Sequence, residues 1–199
     1  MATTEFASPH HVHCRMNVIV ADLPDVLIIE PTFFSDPRGF HLETFQAARY
    51  AECGISRPFV QDNMSRSAQG VLRGLHLQNP RTQGKLVSVM RGRVLDVSVD
   101  VRLGSPNFGR HAAVELSEEN RRQLWIPRGF AHGFLVLSET ADFLYKCDEL
   151  YSPKDEIAVR WNDPAIAIAW GVEKPLLSAR DAAAPLLSEI KNLPVYGQV

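Results

Sequence analysis

Residues 94–102, VLDVSVDVR, constrain the fold of this 199-residue chain more than any other stretch. Leu95, Val97, Val99 and Val101 fall on one side, and Asp96, Ser98, Asp100 and Arg102 on the other. A period of two is the pattern of a half-buried antiparallel strand, because successive side chains of an extended backbone point to opposite faces. The run KLVSVM (85–90) reads as the preceding strand, with a turn around Gly92. Further β-runs follow at 111–116, 123–126, 133–137 and 142–147, separated by turn residues. From Val18, VIVADLPDVLIIEP reads as one or two strands broken at Pro24. Many short strands at this spacing predict an all-β sandwich or barrel.

Helical patterns are confined to the flanks. Residues 43–53 suit a short helix stopped by Gly54, and 185–191 suit another with Pro185 near its start. Residues 1–15 have no hydrophobic period and read as a mobile arm, leaving 16–199 as a single domain. The arm's His10, His11 and His13 lack an acidic or thiol neighbour at metal-binding spacing.

A net charge of −2 and a pI of about 6.4 argue against nucleic-acid and membrane-surface binding, which call for a basic face. Cys14, Cys53 and Cys147 are an odd number at wide spacing, the usage of reduced thiols. No apolar run nears the ~18 residues of a membrane span, and the polar start does not resemble a signal peptide. The expectation is a cytoplasmic enzyme.

Polar residues that a β-core does not need gather in DPRGFHLETF (36–45), QDNMSRSAQGVLRGLHLQ (61–78), IPRGFAHGF (126–134), FLYKCDELYSPKDE (143–156) and SARDAAAP (178–185). Taken singly, each has an ordinary reading. His76 suits a core histidine bonded to backbone, Tyr145 a strand aromatic and Lys85 a solvated strand end. Arg38 and Arg73 suit surface charges, and Asp181 a residue at a helix N-terminus.

Together these segments resemble the dTDP-4-dehydrorhamnose 3,5-epimerase family over roughly Val18 to Leu187. The matching phrases are DPRGF, FVQDNMSRS, VLRGLHLQ, GKLV, DVSVDVRLGSPNFG, RQLWIPRGFAHGF, FLYK, YSPKDE and LSARDAAAP, in this order. The resemblance implies a cupin-type double-stranded β-helix, or jelly roll, with short flanking helices. It also implies a homodimer, no cofactor and no metal. PRGFAH fits the second cupin pattern, Pro-x-Gly-x-x-His. The first pattern's His-x-His pair is reduced to His76, with Gln78 in the second place. That leaves too few ligands for the three-ligand site a catalytic metal needs.

The resemblance further implies dTDP-4-keto-6-deoxy-D-glucose as substrate, inverted at C3 and C5 beside the C4 ketone. His76 matches the base and Asp181 the carboxylate that orients it. Tyr145 matches the acid on the opposite face, and Lys85 the cation beside the C4 oxygen, where charge develops. His132 matches the sugar pocket. Arg73 and Arg38 match the diphosphate grip, and Tyr151 the stack on thymine. Glu43, Gln61, Asp62, Asn63, Glu156 and Arg180 match further substrate contacts. The segment from Arg38 to Glu43 is expected to reach into the partner's site.

Two departures stand out: His41 where the family generally has phenylalanine, and Arg180 where lysine is common. Both bear on nucleotide recognition. Relatives that invert only C3 or only C5 share the catalytic set. A non-catalytic sugar-nucleotide-binding cupin would lose the base or its acid, yet His76, Asp181 and Tyr145 are all present.

Overall fold

A computed structural model describes residues 16–199. The arm at 1–15, with its histidine tract and Cys14, lies outside the described residues. The chain forms two facing sheets. The six-stranded sheet has the order β1 (Asn17–Val20), β2 (Leu27–Glu30), β10 (Gln123–Ile126), β7 (Lys85–Arg91), β12 (Thr140–Cys147), β5 (Gln61–Ala68). The five-stranded sheet has the order β13 (Glu156–Ala158), β6 (Leu72–Gln78), β11 (Phe130–Val136), β8 (Arg93–Asp100), β9 (His111–Ser117). A separate hairpin pairs β3 (Phe33–Asp36) with β4 (Gly39–Leu42). Neighbours in both sheets run antiparallel, and their order crosses between distant parts of the sequence, as in a jelly roll.

Between the sheets, Val87, Leu124 and Phe143 meet Val94, Leu116 and Phe134 in one buried cluster. A second cluster lies on the other face of the five-stranded sheet. There Leu75, Val97, Val99 and Leu135 pack against Val159, Ile166, Trp170 and Leu187 of the C-terminal segment. This corrects the half-buried reading of residues 94–102. The alternation is real, but β8 is covered on both faces, and Asp96, Ser98 and Asp100 are each fully buried. The apolar side is closed by the C-terminal segment, while the carboxylates find partners inside. Asp100 accepts from Arg102 Nε at 2.9 Å and from Ser105 Oγ at 2.6 Å, and Asp96 meets His132. A buried carboxylate needs such partners, because solvation is lost without them.

The break at Pro24 separates β1 from β2, as expected. The helix expected over 43–53 is shorter: α1 spans Ala47–Glu52. Gln46 is extended and its side chain accepts from Arg49 N–H at 2.7 Å, capping the helix there. The preceding Thr44 carbonyl accepts from Tyr50 Oη and Gln123 Nε2, which holds that segment out of the helix. Of the helix expected over 185–191, only a 3₁₀ turn at Leu187–Glu189 forms. Its first N–H is drawn to Asp163 Oδ2 at 2.7 Å. A short helix, α2 (Ala179–Ala182), begins at Ser178, whose side chain accepts from Asp181 N–H, so Asp181 does stand in a first helical turn.

Candidate active site

Two adjoining lobes open between the sheets, of about 350 Å³ and about 550 Å³. His76, Lys85 and Tyr145 line both. His76 stands on β6 of the five-stranded sheet, directly opposite His132 on β11. Lys85 opens β7 and Tyr145 lies on β12, adjacent strands of the six-stranded sheet. The two histidines therefore enter from one wall, and the lysine and tyrosine from the other.

Local sequence explains how the histidines come so close. In RGLH and AHGF, a Cβ on Gly74 would sit 2.6 Å from Gly133 Cα, and one on Gly133 would sit 2.7 Å from the Arg73 carbonyl oxygen. Only glycine permits this approach of β6 and β11, which coincides with a register shift between His132 and Phe134.

His76 Nε2 lies 2.6 Å from Asp181 Oδ1, and Asp181 is 3% exposed. Burial alone would raise the Asp181 carboxyl. The hydrogen bond and charge of His76, with Ser178 and the Gly74 backbone, outweigh it and hold the group below the ordinary carboxylate range. Asp181 is thus ionised, and the bond is an imidazole N–H donating to carboxylate. The second pair, His132 Nε2 to Asp96 Oδ2 at 2.9 Å, is more deeply buried. Asp96 is a site residue that the sequence reading placed on the polar face of its strand without a role. The only signal for it was an acid amid alternating valines.

Lys85 makes no hydrogen bond or ion pair among the described residues. Desolvation within the cavity wall lowers its pKa, against the opposing charges of Cys147, Glu156 and Asp96. Tyr145 also has an uncommitted hydroxyl among the described residues, and burial raises its pKa. A phenol so placed stays protonated at neutral pH.

The outer part of the smaller lobe is a polar chain. Tyr151 Oη donates to Glu156 Oε2 at 2.6 Å, and Arg180 pairs with the same oxygen. Tyr151 N–H donates to Gln61 Oε1, and Gln61 Nε2 to Asn63 Oδ1. Burial pulls the Glu156 carboxyl upward, but Tyr151 and Arg180 bring it below its ordinary range. Arg73 lines the larger lobe, bonded to Ser67 Oγ at 3.1 Å, with no acidic partner among the described residues. Ser65, Phe134, Phe143 and Cys147 also line the lobes, and sequence reasoning had not singled them out.

Three expected contact residues stand apart from this cavity. Arg38 has a 90% exposed side chain and is bound to Asp36 within the β3–β4 hairpin. Glu43 pairs with Arg49. Asp62 faces outward and accepts from Lys146 Nζ at 2.8 Å. His41, on the same hairpin, is likewise outside both lobes. Among the described residues, no group of three or more His, Cys, Asp and Glu side chains could hold a metal ion, and no helix is long and apolar enough to cross a membrane.

Known proteins share this arrangement of sequence and fold. The chain is 54% identical over 177 residues to the dTDP-4-dehydrorhamnose 3,5-epimerase of Salmonella typhimurium, covering 87% of this chain and 97% of that one. It is 53% identical over 169 residues to the enzyme of the same name from Neisseria gonorrhoeae, spanning 84% of this chain but about half (52%) of that longer protein. A crystal structure of the dTDP-6-deoxy-D-glucose-3,5-epimerase of Legionella pneumophila, in complex with dTDP-4-keto-L-rhamnose, superposes with a TM-score of 0.90 at 55% identity, covering 92% and 99% of the two chains. The sequence model of the family described as dTDP-4-dehydrorhamnose 3,5-epimerase matches residues 20–189. The chain belongs to the dTDP-4-dehydrorhamnose 3,5-epimerase family.

Proposed function

We propose that this protein is a dTDP-4-dehydrorhamnose 3,5-epimerase, inverting C3 and C5 of dTDP-4-keto-6-deoxy-D-glucose to give dTDP-4-keto-L-rhamnose. The observation that carries the reading is the facing of His76, on one sheet and bonded to Asp181 of α2, by Lys85 and Tyr145 on the other sheet, across one cavity. A sugar ring held between the sheets has a base on one side and a proton donor on the other.

The ionised Asp181 fixes an Nε2–H tautomer on His76, so Nδ1 is the free nitrogen that takes a proton from carbon. The electron pair of the broken C–H bond moves onto the C4 oxygen as an enolate. The Lys85 ammonium, unpaired among the described residues, sits where that charge can be met, in a desolvated wall where such an interaction is strong. Tyr145 then returns a proton to the opposite face, and the carbon is inverted. Because C3 and C5 both adjoin C4, one set of residues serves both centres. The ketone acidifies the carbons, so the chemistry calls for no redox cofactor.

Arg73 and Arg180 supply cations for the diphosphate, and Tyr151 a ring for the thymine. Arg38 and Glu43 belong to this reading as contributions to a partner's cavity. Their place outside this chain's own lobes, Arg38 on a hairpin with exposed Phe33, Phe34 and Phe40 and Glu43 just after it, favours a homodimer. The cytoplasm is the compartment that the reading assigns.

The test is incubation with dTDP-4-keto-6-deoxy-glucose in heavy water, following deuterium at C3 and C5 by NMR. Enzyme-dependent exchange at both positions is expected. Exchange at one position alone would make it a single-centre epimerase, and none would refute the enolate reading.

A further inference from the structure

Lys85 has to hold an ammonium at a set point although no side chain of the described protein grips it. Its backbone is held instead from behind. On the strand ladder, Lys85 lies between Ile126 of β10 and Cys147 of β12. The peptide of the preceding residue, Gly84, is clamped on both sides by Asp148: Gly84 N–H donates to Asp148 Oδ1 at 2.7 Å, and Asp148 N–H donates to the Gly84 carbonyl at 3.1 Å.

Asp148 is itself fixed. Arg128 Nε donates to its two carboxylate oxygens at 3.1 and 3.0 Å, and Arg128 Nη2 donates to its backbone carbonyl at 2.9 Å. The Asp148 side chain is 1% exposed. There is no slack at the glycine, since a Cβ there would lie 2.6 Å from Trp125 Cη2 and 2.8 Å from Asp148 Oδ2. Neither Asp148 nor Arg128 lines either lobe of the cavity.

We infer that Asp148, braced by Arg128, is a positioning residue for the reaction: it sets the Gly84–Lys85 backbone, and thereby the place of the ammonium relative to the C4 oxygen. The inference rests on the role proposed above for Lys85. A buried carboxylate held by Gly84 N–H and Arg128 Nε, with Arg128 Nη2 on the backbone carbonyl of the same residue, is a rigid anchor. It joins the start of β7, the end of β12 and the β10–β11 turn that leads to His132. Misplacement of a catalytic group by about 1 Å can cost on the order of a hundredfold in rate.

The experiment compares turnover, deuterium exchange at C3 and C5, and dTDP affinity in D148A, D148N and G84A, each in the unmodified and the K85A background. The expected result for D148A is a fall in kcat of about ten- to a hundredfold. Exchange at both carbons should slow in parallel, because both enolates share one oxygen, and dTDP affinity should not change. D148N keeps an acceptor for Gly84 N–H and recovers most of the turnover. G84A, whose added methyl would press on Trp125 and on the Asp148 carboxylate itself, behaves like D148A. In the K85A background D148A has no further effect, since it acts through Lys85. Unchanged turnover in D148A would overturn the inference, as would an equal additional loss in K85A. If D148A does not fold, D148N and G84A carry the same comparison. An unmodified protein without exchange refutes the epimerase reading itself, and a fully active K85A refutes the role of Lys85. Both are distinct from a failure of the positioning role.

Discussion

Replacing Asp181 by alanine is the sharpest perturbation of the proposed base. The substitution removes one charge-assisted hydrogen bond, of 2.6 Å, from a carboxylate that is 3% exposed. Hydrogen bonds to charged groups contribute about 1.5–3 kcal/mol. The bond is strongest when His76 has taken its proton, so most of that energy belongs to the transition state. At about 1.4 kcal/mol per factor of ten, kcat should fall roughly 10- to 200-fold. Affinity for dTDP should change little, because Arg73, Tyr151 and Glu156 are untouched. The assay is exchange at C3 and C5 in heavy water, alongside calorimetric titration with dTDP. Both exchange rates should drop together. Exchange within twofold of the parent at either carbon would show that Asp181 does not support the base. A loss of dTDP affinity as large as the loss of kcat would show that it acts on binding instead. The pH dependence has a definite sign. The folded-state pKa lies below the ordinary value, so the stabilisation is present above the ordinary carboxylate range and is lost as pH falls from there through the lower folded-state value. The alanine variant should lack this component of acid sensitivity, as melting from about pH 5 downward would reveal.

Tyr145→Phe should keep base-face exchange while inversion falls by about 10²–10⁴-fold, and NMR of the product stereochemistry separates the two. Lys85→Met should lower kcat by about 10²–10³-fold. Its thermal midpoint should be no lower than the parent's, because burial already disfavours the ammonium there; a large drop in midpoint would refute that account of the lysine. Burial pushes the Cys147 thiol up to about 11 from an ordinary 9.0, so alkylation at pH 8 should spare it in the native protein and label it after unfolding, as peptide mass spectrometry would show. The same shift means that the folded state keeps a proton that the unfolded state releases above pH 9. Stability should therefore fall by up to about 2–3 kcal/mol as pH rises from 9 to 11, and Cys147→Ala should remove that dependence in denaturant titrations.

Much of the fold follows from local chemistry that a sequence displays. The alternation at 94–102 and the run at 123–126 became strands, and the break at Pro24 parts β1 from β2, since extended runs and their breakers are properties of short segments. The helices were less legible: Gln46 caps α1 later than residues 43–53 suggest, and Asp163 draws residues 185–191 into a single 3₁₀ turn. Both outcomes depend on partners far along the chain.

The candidate site divides in the same way. His76, Lys85, Tyr145 and Asp181 were nominated by the resemblance of the motifs that hold them to one family, and the fold gathers them around one cavity from residues as far apart as 76 and 181. Motifs record which side chains the chemistry requires, so they can be read without coordinates. Which charges meet is another matter. Asp96 looked like the polar face of a strand until the C-terminal segment covered the opposite face and left the carboxylate inside, against His132. Asp148 carries no signal of its own in the sequence, and only the fold closes Arg128 and Gly84 on it. By itself the sequence carried the β-architecture, through patterns spanning a few residues, and the family, through motifs spread from Val18 to Leu187 that also nominate the reacting groups. Only the tertiary structure decided the pairing of buried charges and the wall from which each group faces the cavity, because burial and electrostatic partnership arise between segments distant in the chain.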